Sequence, residues 1–300
     1  MRFGITGNTN KDSLWEPVSG FISRLNDDAL EYVLHPAVAG GLAARGVQLD
    51  EGSIASDADG FLEAADLILS FGGDGTLLNT AHLVGRREIP VLGVNFGRLG
   101  FLAHTESAGV ARAIERILSG DYVVNERLAL TAARRNDRKL PEPWALNEFT
   151  IQRTGETGLL AIEVHVDDRL LNKYWADGLI ISTPTGSTAY SLAVGGPIMA
   201  PGCGGILINP IASHTLTVRP IVIPEDSVID VRVVDPGKPY VVTADGVAQV
   251  FEEESPTIRI QRADHVVRLV TFPDQDYYST LRNKLMWGAR KGASEPGSSE

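Results

Sequence analysis

The chain has 300 residues, 43% of them hydrophobic and 22% charged, with a formal net charge of −11 at pH 7. That composition is globular rather than disordered, and the length points to two domains. The acidic balance argues against a nucleic-acid partner, because phosphate backbones are held by clustered Lys and Arg. Cys203 is the only cysteine, which excludes an intrachain disulfide and a thiolate zinc site. Met1 to Asn8 lacks the apolar core of a signal peptide, and no apolar run approaches the roughly 18 residues of a membrane span. A cytoplasmic protein with no membrane partner is expected.

The first third alternates short apolar runs with helical patterns. Arg2 to Thr6, Tyr32 to Leu34, Leu67 to Phe71 and Val91 to Asn95 read as strands, with helices around Val18 to Leu25, Val38 to Ala44 and Leu77 to Val84. This predicts an α/β domain over residues 1–121, built on a doubly wound, mostly parallel sheet. A helix over Ala108 to Ser119 closes it, with Ser107 placed to cap its start and Gly120 to end it. Residues 122–272 carry short alternating strands, such as Ile162 to Asp167 and Val228 to Val233, separated by turns such as Asp235-Pro236-Gly237. They predict an all-β, sandwich-like domain that binds substrate. Residues 273–288 return to a helical pattern and are expected to pack back on the first domain. Residues 289–300 are expected to be a disordered tail.

The run Gly72-Gly73-Asp74-Gly75-Thr76 follows a buried strand and precedes a helix. Ligands of open α/β sheets sit at the carboxyl ends of strands. Glycines there let backbone amides approach phosphate oxygens, and a helix N-terminus favours negative charge. Asp74 would repel phosphates unless a cation or a hydroxyl intervenes, a combination that suits phosphoryl transfer. The alternative is a tight glycine turn with Asp74 as the helix N-cap.

No P-loop is present, because Gly7 to Ser13 lacks the Gly-Lys-Ser/Thr ending. Gly93 to Gly100 is a glycine-bent loop after a strand, with Arg98 available to a phosphate or simply solvated. Asn147 and Glu148 are neighbours, so both can serve one ligand only near a strand end or bend. An exposed strand edge is the plainer reading. Asp177 to Leu192 runs from a buried strand into a loop dense in hydroxyls and glycine, where Tyr190 could stack on a flat ring.

On these segments, together with Asn209-Pro210, His214 to Leu216, Arg219 to Pro224 and Tyr278 to Trp287, the chain resembles the NAD kinases from Arg2 to about Trp287. Gly-Gly-Asp-Gly-Thr alone is shared with lipid kinases, whereas the Asp177 to Leu192 run is far more particular to NAD kinases. The resemblance implies transfer of a phosphoryl group from ATP, or another donor, to the 2′-hydroxyl of the adenosine ribose of NAD. Asp74 is then the proton acceptor. NAD contacts fall on Asp74, Gly75, Asn147, Glu148, Asp177, Thr188, Ala189, Tyr190, Ser191, Leu192 and Ala193, beside a phosphate loop of Gly72, Gly73 and Thr76. Asp245-Gly246 resembles a further substrate-side turn. Mg²⁺ is expected on the donor phosphates, with no protein ligands assigned, and a homodimer or homotetramer is implied.

The chain departs from the family where a basic residue is common, having Asn79 and Trp175 instead. Lys173, Arg86 or Arg87 are candidates to compensate. Val247 stands where a glutamine is common. His214 is open between a packed, hydrogen-bonded residue and a binding one. The competing functions are a diacylglycerol-type lipid kinase with the same loop and a non-catalytic NAD(H)-sensing module. Intact Asp74 argues against the sensor, since a pure binder gains little from a carboxylate beside phosphates.

Overall fold

The computed structural model describes residues 1–97, 100–135, 140, 143–155, 158–235, 238–252 and 255–287. Arg98, the Pro236-Gly237 turn and the 289–300 tail lie outside the described residues. The chain forms two compact units. The first comprises Met1–Leu77, Val91–Val123 and the chain from Val270; the second comprises Leu78–Pro90 and Val124–Leu269.

In chain order the first elements are β1 (Phe3–Gly7), α1 (Trp15–Asp27), β2 (Tyr32–Leu34), α2 (Pro36–Ala43), α3 (Ala58–Ala64), β3 (Leu67–Phe71), α4 (Asp74–Val84), β4 (Val91–Asn95), β5 (Thr105–Glu106) and α5 (Val110–Leu118). There follow β6 (Val123–Arg134), β7 (Trp144–Ala145), β8 (Glu148–Arg153), β9 (Leu160–Val166), β10 (Arg169–Ala176), β11 (Gly178–Ser182), α6 (Tyr190–Ala193) and β12 (Gly205–Ile211). The last are β13 (Ile221–Pro224), β14 (Ile229–Val233), β15 (Tyr240–Ala244), β16 (Val247–Phe251), β17 (Ile258–Thr271) and α7 (Tyr277–Leu285).

In the first unit the strand order is β4-β3-β1-β2, all parallel. The chain winds from β1 out to β2, then returns across β1 to β3 and β4, the doubly wound arrangement. Phe3, Ile5, Leu67, Leu69 and Phe71 are buried with Val18, Phe21, Leu25, Ile114 and Ile117 from the helices. A continuous apolar strand is what a parallel sheet covered by helices requires. Asp57, whose side chain accepts from the Gly60 amide at 2.7 Å, starts α3, which the helical periodicity did not reveal. Ser107 does not cap α5: a 3-10 turn at Ser107–Gly109 intervenes and the cap position falls on Gly109. Gly120, at φ +78°, does end that helix region in the left-handed conformation.

The C-terminal helix α7 belongs to the first unit. Asp276 caps it by accepting from the Tyr278 and Ser279 amides, each at 3.0 Å, and Leu281 is buried.

Apart from Leu78–Pro90, which carries most of α4, and the short α6, the second unit is an antiparallel β structure. One layer contains β10-β9-β14-β17, and the other is a six-stranded sheet ordered β13-β12-β11-β8-β15-β16. Inward side chains of β9, β14 and β17 (Ile162, Val164, Ile229, Val231, Ile260) share one core with Phe149, Ile151, Leu179, Ile181, Ile208 and Val242 of the facing sheet. No helix among the described residues is long and apolar enough to cross a membrane.

Candidate active site

In the first unit, the Gly72–Thr76 loop leaves β3 beside the end of β1, where the winding of the sheet reverses. The Asn8 amide donates to Phe71 O at 3.2 Å, and the Gly72 amide donates to Val94 O at 2.8 Å. The loop thus sits at the crevice that such sheets offer to ligands. A Cβ at Gly73 or Gly75 would meet nothing within 4 Å, so their backbone is open to an incoming group.

Asp74 is the first residue of α4 and does not act as its cap. Its Oδ1 accepts from the Leu102 and Ala103 amides at 3.0 and 3.1 Å, and its Oδ2 accepts from the Phe101 amide at 2.8 Å. Gly100 makes this approach possible, because a Cβ there would overlap the Asp74 carboxylate. Lys284 of α7 places Nζ 3.9 Å from Asp74 Oδ2 and lies over the Phe101 ring at 4.7 Å. The carboxylate is therefore held from three amides and a cation, while Oδ2, with one amide, keeps acceptor capacity for a hydroxyl.

In the second unit the strand register gathers three distant segments. Glu148 opens β8 opposite Ser182, the last residue of β11, and β15 ends beside Phe149 at Ala244. Asn147 occupies the bend between β7 and β8, which lets two adjacent residues face one region. The Thr183 amide donates to Asn147 O at 2.9 Å, and Thr183 Oγ1 donates to Leu146 O at 2.6 Å. Asn147-Glu148 and the loop leading to Thr188–Ala193 are thereby tied together. Ser191 is buried and held by Asn209, whose Nδ2 donates to Ser191 O at 3.1 Å, while Tyr190 is exposed.

Glu148 is buried, and its Oε2 has no hydrogen-bond partner among the described residues. Burial first, and the negative charge of Asp245 second, push its carboxyl up to about 8. It is a neutral acid at neutral pH with an unmet polar atom.

Asp245 and Gly246 form the two-residue turn of the β15–β16 hairpin, with φ of +46° and +90°. The Asp245 side chain is only 1% exposed and turns inward. It accepts from the Leu146, Asn147 and Glu148 amides at 2.7, 2.8 and 3.1 Å and from His82 Nε2 at 2.8 Å. The residue that the sequence marked as substrate-side thus spends its carboxylate on the Asn147-Glu148 backbone.

Other marked residues lie elsewhere. Asp177 precedes β11 at the end opposite Glu148 and pairs with Arg153 Nε at 2.7 Å. Lys173 lies over the Trp175 ring at 5.1 Å, and Arg86 Nη1 donates to Asp264 at 2.5 Å. His214 is exposed, its amide donating to Trp175 O at 2.8 Å, so the packed reading of this histidine does not hold. His82, bonded to Asp245, and Lys284, beside Asp74, had no signal of their own in the sequence; only the Tyr278 to Trp287 segment that contains Lys284 was marked. No group of three His, Cys, Asp or Glu side chains among the described residues is placed to hold a metal ion.

Comparison with known proteins follows the same division. Residues 3–122 match the ATP-NAD kinase N-terminal domain and residues 146–272 the ATP-NAD kinase C-terminal domain. The NAD kinase of Geotalea daltonii is 43% identical over 77% of this chain and 82% of its own length. That of Flavobacterium psychrophilum is 34% identical over 97% of this chain and 99% of its own. Yeast NADH kinase, solved with NADH, superposes with a TM-score of 0.87 at 23% identity, covering 98% of this chain and 90% of that one. An Archaeoglobus fulgidus NAD kinase solved with ATP gives 0.74 at 22% identity, covering 95% and 99%. The chain belongs to the ATP-NAD kinase family.

Proposed function

We propose that the chain converts NAD to NADP, using ATP to phosphorylate the 2′-hydroxyl of the adenosine ribose, with Asp74 as the proton acceptor. The observation that carries this reading is the Asp74 carboxylate at the sheet's crevice, fixed by the Phe101, Leu102 and Ala103 amides with one oxygen still able to accept. Phosphoryl transfer has a loose transition state, so the protein mainly positions groups and offsets charge. Asp74 orients the hydroxyl and takes its proton late, and the Gly72–Thr76 amides face the donor phosphates. Asn147, Glu148 and Thr188–Ala193 contact NAD, and Glu148 Oε2 finds in a sugar hydroxyl the partner that it lacks. Residues 1–121 then form the domain of the phosphate loop, and 122–272 the domain that binds substrate.

Mg²⁺ would shield the donor's phosphate charge. Such an ion ordinarily arrives on phosphates and water rather than in a protein cage.

Asp177 is separated from Glu148 by the length of β11, roughly 16 Å at about 3.3 Å per residue. Trp175, near the end of β10 and two residues before Asp177, is 43% exposed. Asp177 is assigned to the site of a second copy, in a homodimer or homotetramer.

Incubation with Mg-ATP and either NAD or diacylglycerol, with products identified by mass, tests the function. NADP alone is expected; phosphorylated diacylglycerol with untouched NAD would establish the lipid-kinase reading instead.

A further inference from the structure

A carboxylate has about four acceptor sites, and Asp245 fills them with four donors. Oδ1 takes the Asn147 and Glu148 amides; Oδ2 takes the Leu146 amide and His82 Nε2–H. No acceptor site is left for a substrate, and the side chain is sealed from solvent. The three amides are consecutive and span the bend that aims Asn147 and Glu148. A non-glycine residue at φ +46° is an uncommon conformation, maintained where surrounding contacts demand it. His82 is itself fixed: its ring stacks on Trp144 at 4.1 Å, and Trp144 meets His265 edge-on at 5.0 Å.

We propose that Asp245 and His82 are positioning residues for NAD. His82, clamped by Trp144, sets the rotamer of Asp245, and Asp245 sets the backbone of Leu146 to Glu148. This rests on the reading that Asn147 and Glu148 contact NAD. Neither residue touches substrate, so their loss disturbs recognition of NAD and leaves the donor alone.

The test uses the full-length enzyme with separate titrations of NAD and ATP. His82→Phe keeps an aromatic ring against Trp144 and removes the hydrogen bond, whereas His82→Gln keeps a donor and removes the stack. His82→Phe is expected to raise KM for NAD by roughly 10- to 100-fold, the loss of one hydrogen bond to a charged group. KM for ATP should stay within about twofold, the melting temperature should move little, and His82→Gln should recover most of the NAD affinity. An unchanged KM for NAD in His82→Phe, or equal rises for both substrates alongside a lower melting temperature, overturns the proposal. Should His82→Phe not fold, Asp245→Asn decides by the same criteria, since Asn tolerates the left-handed turn. Asn147→Ala is run beside them. If it too leaves KM for NAD unmoved, the NAD-contact reading fails and takes this inference with it. If Asn147→Ala raises that KM and His82→Phe does not, only the positioning role fails.

Discussion

At Asp74 the two carboxylate oxygens carry different loads: Oδ1 serves two amides, while Oδ2 serves one and faces Lys284. In Asp74→Asn the amide oxygen can satisfy Leu102 and Ala103, but the NH₂ then confronts the Phe101 N–H, donor against donor. The variant is expected to lose roughly 1–3 kcal/mol of stability. On the proposed role of Asp74, turnover should fall by on the order of 10²–10⁴-fold while calorimetric NAD binding largely persists, because the proton acceptor is lost and the other proposed NAD contacts remain. Near wild-type turnover would remove Asp74 from the chemistry. Glu148 offers a different measurement. Its carboxyl sits at about 8 against an ordinary 4.5, so between those values the folded chain keeps a proton that the unfolded chain has released. Ionisation of Glu148 therefore adds no cost below about pH 4.5; a growing deficit develops as pH rises and levels off above about pH 8. Glu148→Gln should raise the melting temperature at pH 8, by the equivalent of up to a few kcal/mol, and bring little change at pH 4.5. An equal gain at both pH values would show that Glu148 is not the group that titrates.

Among the elements, α7 presents the clearest case of a helix whose value is one side chain. It brings Lys284 to Asp74 and to the ring of Phe101, whose own amide holds Asp74. Lys284→Met keeps much of the packing on Phe101 and removes the charge, so the melting temperature should change little. If Asp74 faces the donor phosphates as proposed, the cation offsets their repulsion, and kcat is expected to fall by roughly 10-fold or more, with Lys284→Arg retaining part of it. Unchanged kcat in Lys284→Met would reduce the pair to a surface contact. This pairing also marks where the sequence stopped being legible. The strand–glycine–helix run at Leu67 to Val84 could be read because each step is local: an apolar strand, a glycine turn, a periodic helix. The bend at Asn147 was legible only as a condition for two polar neighbours to serve one ligand; the plainer reading, an exposed strand edge, does not hold, because Glu148 is buried beyond that bend. By contrast, the Asp245–His82 bond joins residues 163 positions apart, and no local pattern encodes the register that sets Ala244 beside Phe149. Ser107 failed as a cap for a local reason: a 3-10 turn displaced the helix start to Gly109, and with it the cap position.

For the whole molecule, the position of Asp177 makes the assembly a question about the active site. Within one chain, β11 separates it from Glu148, and its own carboxylate pairs with Arg153 at 2.7 Å. If Asp177 serves a neighbouring copy, two crippled chains should repair each other. Asp74→Asn removes the proton acceptor of a chain's own site, and Asp177→Ala removes what that chain lends to its neighbour. In a mixed two-fold dimer, one of the two sites then collects both defects and the other collects none. Random reassembly of equal amounts makes half of the dimers mixed, so activity should return to about a quarter of wild type. The measurement is NADP formation after co-expression, or after mixing and exchange of subunits, compared with each variant alone. Recovery requires the copies to meet, so it should disappear on dilution below the dimer's dissociation constant. If the mixture shows only the mean of the two parents at concentrations where the chain is dimeric, Asp177 acts within its own chain, and the shared-site arrangement is wrong.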